Sequence, residues 1–251
     1  MYAQQLFIDT ISNNLANVNT TGFKKSRVEF QDLIYQTIRA AGTSNAAGLL
    51  VPTELQVGHG VRPVGVQKNF EQGPPVATEN PLDMAIMGDG FFQISLPDGT
   101  VAYTRDGSFK LNEEGAIVTS DGHYLEPQIS VPADTTAISV TNDGTLSVLV
   151  VGSFEPQEVG QIELAKFINP GGLKNVGQNQ YSPTTASGDP ILGLPGEEGF
   201  GQINQGYLES SNVKVVEEMV NMIIGQRAYE LNSKAIHTAE EMLQMANNLK
   251  R

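Results

Sequence analysis

The sequence predicts an α+β protein in which terminal α-helices, coiled-coil-like, flank an all-β, antiparallel middle region. Three observations predict it. Apolar residues recur at helical spacing near both ends, Asp-Gly dipeptides punctuate short β-prone runs between them, and Gly-, Pro-, Ser- and Asn-rich stretches separate the two regimes.

Near the start, Ile8, Ile11, Leu15 and Val18 fall three or four residues apart, which places them on one helical face. Thr20, Thr21 and Gly22 stop that helix, with Gly22 well placed for a left-handed cap. In the middle, Asp-Gly pairs begin at Asp89, Asp98, Asp106, Asp121 and Asp143. Between them lie the β-prone runs Phe91 to Leu96, Val101 to Thr104, Ser108 to Leu111, Ala116 to Thr119 and Leu146 to Val151. Asp-Gly tolerates the positive φ of tight hairpins, so the expectation is an antiparallel meander. Gly42 to Gly48, Asn169 to Gly177 and Ser182 to Gly201 read as loops or linkers.

The far end carries the strongest pattern. From Ile224 a four-three alternation selects Ile224, Ala228, Leu231, Ala235, Thr238, Met242, Met245 and Leu249, a heptad seam. Ahead of it Val213, Val216, Val220 and Ile223 form a stripe of shifted phase, so one helix from about Lys214 to Leu249 is expected. At 1.5 Å per residue it is roughly 50 Å long, with more apolar stripe than a small domain covers. Such a helix calls for partner helices, and the N-terminal stripe is the other clear one in the chain.

Composition excludes several functions. The chain has 251 residues and a formal charge of −13, so a nucleic-acid partner, which needs a cationic face, is not expected. Binding to a membrane surface through a polybasic patch fails for the same reason. Charged residues make up 17%, below the roughly 25% of ordinary proteins, so much of the surface is neutral and polar. The absence of Cys removes thiol catalysis, disulfides and thiolate metal sites, and folding is then indifferent to the redox state of the compartment. No run approaches the ~20 apolar residues of a membrane span, and residues 1–15 lack the layout of a cleaved signal peptide.

Chemical motifs are equally sparse. His59, His123 and His237 stand far apart with no second ligand at metal spacing. The Asp-Gly sites lack the alternating carboxylates of a calcium loop. Gly88-Asp89-Gly90 begins like a dinucleotide fingerprint, but Gln93 replaces the third glycine and a strand follows. Neither a phosphate-binding loop nor a nucleophile elbow occurs. Glu217 and Glu218, like Glu240 and Glu241, are adjacent on a helix and point apart. Arg227 continues the face of Val220 and Ile223; its stem either lies along apolar surface with the head in water, or the guanidinium pairs at a helix interface. No catalytic residue, cofactor site or metal site is therefore assigned.

The string from Ser12 through Asn13, Asn14, Leu15, Ala16, Asn17, Val18, Asn19, Thr20, Thr21, Gly22, Phe23, Lys24 and Lys25 resembles the N-terminal signature of bacterial flagellar rod, hook and hook-associated axial proteins. At the other end Ser211-Asn212-Val213, then Glu217, Met222, Ile223 and Gln226-Arg227-Ala228-Tyr229-Glu230, resemble the C-terminal signature of that family. Residues 30–36, 57–63 and 103–109 make the likeness strongest to its distal-rod members, and residues 40–65 look like the insertion that helps keep the distal rod straight and stiff.

The resemblance implies a structural subunit of the rod in the flagellar basal body. It implies export by the flagellar type III apparatus without a cleaved leader, polymerisation into a helical homo-oligomer on the proximal rod, and attachment of the hook subunits. In bacteria with two membranes, the periplasmic and outer-membrane rings would surround the rod as a bushing. The expected division is residues 1–30 for the N-terminal helix of the inner domain, 31–75 for a connector with the insertion, 76–205 for a β-rich outer domain and 206–251 for the C-terminal helix. The expected assembly interface comprises Ile8, Ile11, Leu15, Val18, Val220, Ile223, Ile224, Arg227, Ala228, Leu231, Ala235, Met242, Met245 and Leu249. By the resemblance, family members carry about one further helical segment before the position of Met1, so the expectation is either an N-terminally shortened chain or a mis-chosen start. The alternatives are a hook or proximal-rod subunit of the same family, or a secreted β-rich enzyme, which would need a pocket with convergent titratable groups.

Overall fold

The computed structural model describes residues 1–42, 52–152, 155–197 and 199–249. Apart from Gly42, the expected loop from Gly42 to Gly48 lies outside the described residues. A helix stands near each end, α1 (Tyr2–Ala16) and α2 (Val215–Leu249), and the elements between them are strands, almost all in antiparallel pairs, with one short 3-10 turn at Pro170–Gly172. The chain divides into two compact units, and chain order is not the divider. One gathers residues 1–13, 26–67 and 216–251, the other residues 14–25 and 68–215.

The second unit is built around the strand Phe91–Ser95. One edge of it pairs with Val101–Thr104 through the Asp98-Gly99 hairpin. Its other edge is shared, Leu164–Lys166 meeting Phe91 and Phe92 while Tyr124–Glu126 meets Gln93, Ile94 and Ser95. Nine strands join in this sheet. Successive side chains on a strand point to opposite faces. Phe92 therefore enters a mainly aliphatic core with Met84, Ile86, Leu125, Leu146, Ile162 and Leu164, while Phe91 enters an aromatic one with Tyr103, Phe167 and Tyr181.

The expected meander is corrected at Gly107. After the Val101–Thr104 strand the chain does not fold straight back; it passes under Met84, whose amide donates to the Gly107 carbonyl at 3.0 Å. A Cβ at Gly107 would stand 1.6 Å from the Met84 carbonyl oxygen, so only glycine fits there. The next strands, Lys110–Leu111 and Ile117–Val118, consequently pair with each other and reach Phe91–Ser95 through Tyr124–Glu126. A three-stranded sheet of Thr135–Val140, Thr145–Val150 and Gln157–Gln161 covers the aliphatic core. Two expected loops also hold strands, Lys174–Gly177 and Ile191–Gly193.

In the first unit α2 rests on α1 at a glycine. A Cβ on Gly225 would lie 3.1 Å from both Ile8 Cγ1 and Phe7 Cδ1, so the α2 backbone sits directly on those side chains. Phe7 also meets Phe30 edge-on at 6.3 Å. Where a connector was expected, the strands Ser26–Asp32 and Tyr35–Arg39 run against Val61–Lys68 and Leu55–Gly58. The amide of Leu33 donates to the Gly60 carbonyl at 2.8 Å and bridges the two pairs into one ribbon. Ile34, Tyr35, Ile38, Leu55, Val57, Val61, Val64 and Val66 are all exposed on it.

The N-terminal helix is shorter than its apolar stripe. It stops at Ala16, and the chain then tightens into i→i+3 turns, Asn17 N–H to the Asn14 carbonyl at 3.2 Å and Val18 N–H to the Leu15 carbonyl at 3.4 Å. Asn side chains compete for backbone groups and favour turns over helix, and Asn17 and Asn19 flank Val18. Val18 thus lies beyond the helix whose face it was expected to extend.

Candidate assembly surface and its anchoring cluster

The helical residues expected to form an assembly seam fall into two environments. On α1, Ile11 is buried and Ile8 is half-buried, both in the first unit; in the second unit Leu15 and Val18 are half-buried. On α2 the covered positions are Glu218 and Gly225, with Asn221, Met222 and Ala228 half-covered. Val220, Ile223, Ile224, Arg227, Leu231, Ala235, Met242 and Met245 are exposed, Leu231 at 67%. Leu249 ends α2, and its side chain is outside the described residues. From Tyr229 to residue 248 every side chain of α2 is exposed, Ile236 and Leu243 included.

The quoted signature residues have a structural use of their own. Asn13 and Ala16 are exposed on α1, while Asn14 is buried. Thr20 Oγ1 donates to Asn17 Oδ1 at 3.2 Å within the turn that carries Asn19. Gly22 has φ +66°, and a Cβ there would be 2.7 Å from both the Arg105 carbonyl carbon and the Asp106 nitrogen. Its amide donates to the Glu209 carbonyl at 2.8 Å. Phe23 is buried, with the Lys68 ammonium 4.5 Å above its ring. Gln226 and Tyr229 remain on the exposed side of α2.

Sequence reasoning missed the polar centre beside this turn. Lys24 Nζ donates to Glu209 Oε1 at 2.6 Å and to the Glu71 carbonyl at 2.7 Å. The Gly73 amide also donates to Glu209 Oε1 at 2.8 Å, and Arg105 Nη1 reaches Glu209 Oε2 at 3.5 Å. The Lys24 and Glu209 side chains are 0% and 1% exposed. One residue follows α1, the other precedes α2, and they are separated by 185 positions in the chain. Asn212 completes the junction: it accepts from the Lys25 amide at 2.7 Å and donates to the carbonyls of Asn69 and Glu71 at 2.9 and 3.0 Å.

Burial sets the electrostatics here. It pulls the Lys24 ammonium below its usual value, and the Glu209 carboxylate works against that pull. Lys68 is lowered by burial too, and its Nζ donates to the Lys24 carbonyl at 3.3 Å. Burial raises the Tyr181 and Tyr103 hydroxyls above the ordinary phenol range. A buried pair stripped of one partner costs far more than the pair gains when whole, so the cluster acts as an obligatory fastening. Its chemistry is that of a joint: Lys24, Glu209 and Asn212 are each held by a partner of opposite charge or by backbone, and the Glu209 side chain is sealed from water.

Comparison with known proteins agrees with this. Residues 1–24 match the family model described as "Flagella basal body rod protein", and residues 204–249 match "Flagellar basal body rod FlgEFG protein C-terminal". Residues 85–148 match "Flagellar hook protein FlgE/F/G D1 domain". The chain is 53% identical to the flagellar basal-body rod protein FlgG of Borreliella burgdorferi, over 100% of this chain and 96% of that one. It is 40% identical to FlgG of Bacillus subtilis, over 98% and 94% of the two chains, and 34% identical to the rod protein FlgF of Caulobacter vibrioides, over 95% and 89%. With identities of this order over essentially its whole length, the chain belongs to the flagellar basal-body rod protein family.

Proposed function

We propose that the chain is the structural subunit of the distal rod, polymerising into a rigid helical drive shaft that passes motor torque to the hook. The family is structural and not enzymatic, and its members assemble into the rod of the basal body with other axial proteins. The observation that carries the reading is the bare half of α2. A helix of 35 residues whose second half exposes Leu231, Ile236, Met242, Leu243 and Met245 has no cover there among the described residues.

Full burial of a Leu, Ile or Met contributes roughly 1.5 to 3 kcal/mol, so a seam of several such residues orders helices that a lone subunit leaves frayed. In the filament the terminal helices pack as a coiled-coil-like inner tube and the β-rich middle forms an outer domain. The segments are 1–30, 31–75, 76–205 and 206–251. Each copy uses a different surface toward each neighbour, so the contact propagates as a helix instead of closing. The subunit is exported through the growing axle without a cleaved leader, adds to the proximal rod, carries the hook and turns within the periplasmic and outer-membrane rings.

Leu231→Asp tests this by placing a charge in the seam. The expected result is a monomer with an unchanged β-rich fold by circular dichroism, and basal bodies that retain the inner rod but lack its outer segment and hook by electron microscopy. Normal rods in that variant would overturn the seam.

A further inference from the structure

Next to the buried cluster the second unit holds a cavity of about 180 Å³, walled by Phe70, Phe91, Phe167, Asp89, Arg105 and Lys166. Arg105 is 4% exposed, yet among the described residues its guanidinium makes a single hydrogen bond, the 3.5 Å contact from Nη1 to Glu209 Oε2. Its Nε has no hydrogen-bond partner. Glu209 cannot serve it better, because its other oxygen is committed to Lys24 and to the Gly73 amide. A guanidinium carries five N–H donors, and a buried charged group with donors unmade is among the costlier defects a fold can keep. The Phe91 ring lies 5.2 Å from Arg105 Cζ, which attracts the charge without accepting its N–H groups.

The second cation, Lys166, is held by the Gly199 carbonyl at 2.8 Å and by Asp89 Oδ2 at 3.3 Å. Among the side chains lining the cavity two cations, Arg105 and Lys166, face one carboxylate, Asp89, which is largely exposed and therefore screened. Its walls are stiff, with Phe91 stacked edge-on against Phe70 at 5.5 Å and Phe167 at 5.8 Å. Beside it Ile168, 82% exposed, and Pro170 form an apolar collar.

We infer that this cavity receives the carboxylate of an Asp or Glu side chain from a second copy of the chain, with Arg105 and Lys166 as its counter-charges. A planar two-oxygen group matches the guanidinium fork, and the space is that of one side chain. The second copy is the fitting source because the chain carries 28 acidic against 15 basic side chains and, in the filament reading, packs against further copies of itself. An Arg in an aromatic pocket with an apolar collar also has the make-up of an interface hot spot.

This inference rests on the filament reading, and the experiment separates the two. A photo-crosslinking amino acid is placed at Ile168, and separately at Leu231, in the full chain in flagellated cells. Both positions are expected to yield a crosslinked pair of copies, and the Ile168 product to map to a peptide bearing Asp or Glu. Lys166→Glu is expected to lower the Ile168 product by about tenfold or more, with the monomer's circular dichroism unchanged. Reversing the mapped carboxylate to Lys in the Lys166→Glu background is expected to restore it. Crosslinks at Leu231 with none at Ile168, an Ile168 product with another protein or a peptide lacking Asp and Glu, or no effect of Lys166→Glu would each overturn the cavity's role while leaving the filament intact. No product at either position would overturn both.

Discussion

Lys24 and Glu209 meet at 2.6 Å with their side chains sealed from water, although one follows the first helix and the other precedes the last. Their pairing ties the segment that follows α1 to the segment that precedes α2 within the β-rich unit. Glu209 is the counter-charge that Lys24 and Arg105 share, whereas Lys24 is one of two cations on Glu209. Glu209→Gln therefore leaves two buried cations without a counter-charge, and a loss of about 3 to 5 kcal/mol is expected. Lys24→Met leaves the Glu209–Arg105 pair in place and should cost less. Urea unfolding of the three proteins checks the order; equal losses would show that Arg105 does not share the charge.

Gly22 and Gly99 both have positive φ, but their surroundings differ. A Cβ on Gly22 meets backbone at 2.7 Å, and one on Gly99 meets nothing within 4 Å. Gly99→Ala should cost only the left-handed strain, about 1 to 2 kcal/mol. Gly22→Ala should cost clearly more, because the backbone of Arg105 and Asp106 must move as well. Thermal denaturation of the two variants compares them, and equal shifts would mean that the close approach relaxes freely.

The buried tyrosines give the fold an alkaline limit. Burial raises the Tyr181 hydroxyl above its unfolded value of 10.0, and Tyr103 moves the same way. A group whose pKa is higher in the folded state contributes stability that is complete below the unfolded value. That contribution falls as pH climbs from about 10 toward the folded value, since only the unfolded chain then releases the proton. Among the seven tyrosines, Tyr181 and Tyr103 should ionise late, together with loss of structure. Following tyrosinate absorbance and circular dichroism together tests this, and Tyr181→Phe should shrink the late step.

Hydrogen exchange in dilute monomer should divide α2 in two. Amides after Leu231 belong to a stretch whose described side chains are all exposed, so they should exchange fast. Amides of Met84–Met87 and Phe91–Ser95, inside the core, should be protected. Protection throughout residues 231–249 would contradict a seam that waits for neighbouring copies.

Much of this architecture was legible because its signals are local. The four-three alternation locates α2 to within a residue, and Asp98-Gly99 and Asp143-Gly144 sit in the hairpin turns they suggest. Val18 misled because spacing records which residues are apolar and not where Asn17 and Asn19 end a helix. The ribbon was missed although Val64 and Val66, or Leu55 and Val57, alternate as a strand does, because the pattern has no buried face to confirm it. Lys24, Arg105 and Glu209 give no warning at all. Each reads as an ordinary surface charge until the fold closes distances of 104 and 185 residues.

The Asn69 amide donates to the Lys25 carbonyl at 2.9 Å, so the polypeptide leaves the β-rich unit and re-enters it at a single doorway. Closure entropy grows only slowly with loop length, so the span between Lys25 and Asn69 adds little closure cost to the β-rich unit itself. Residues 26–67 thus start and finish at one point of that unit, while Phe30 ties them to Phe7 of the first helix.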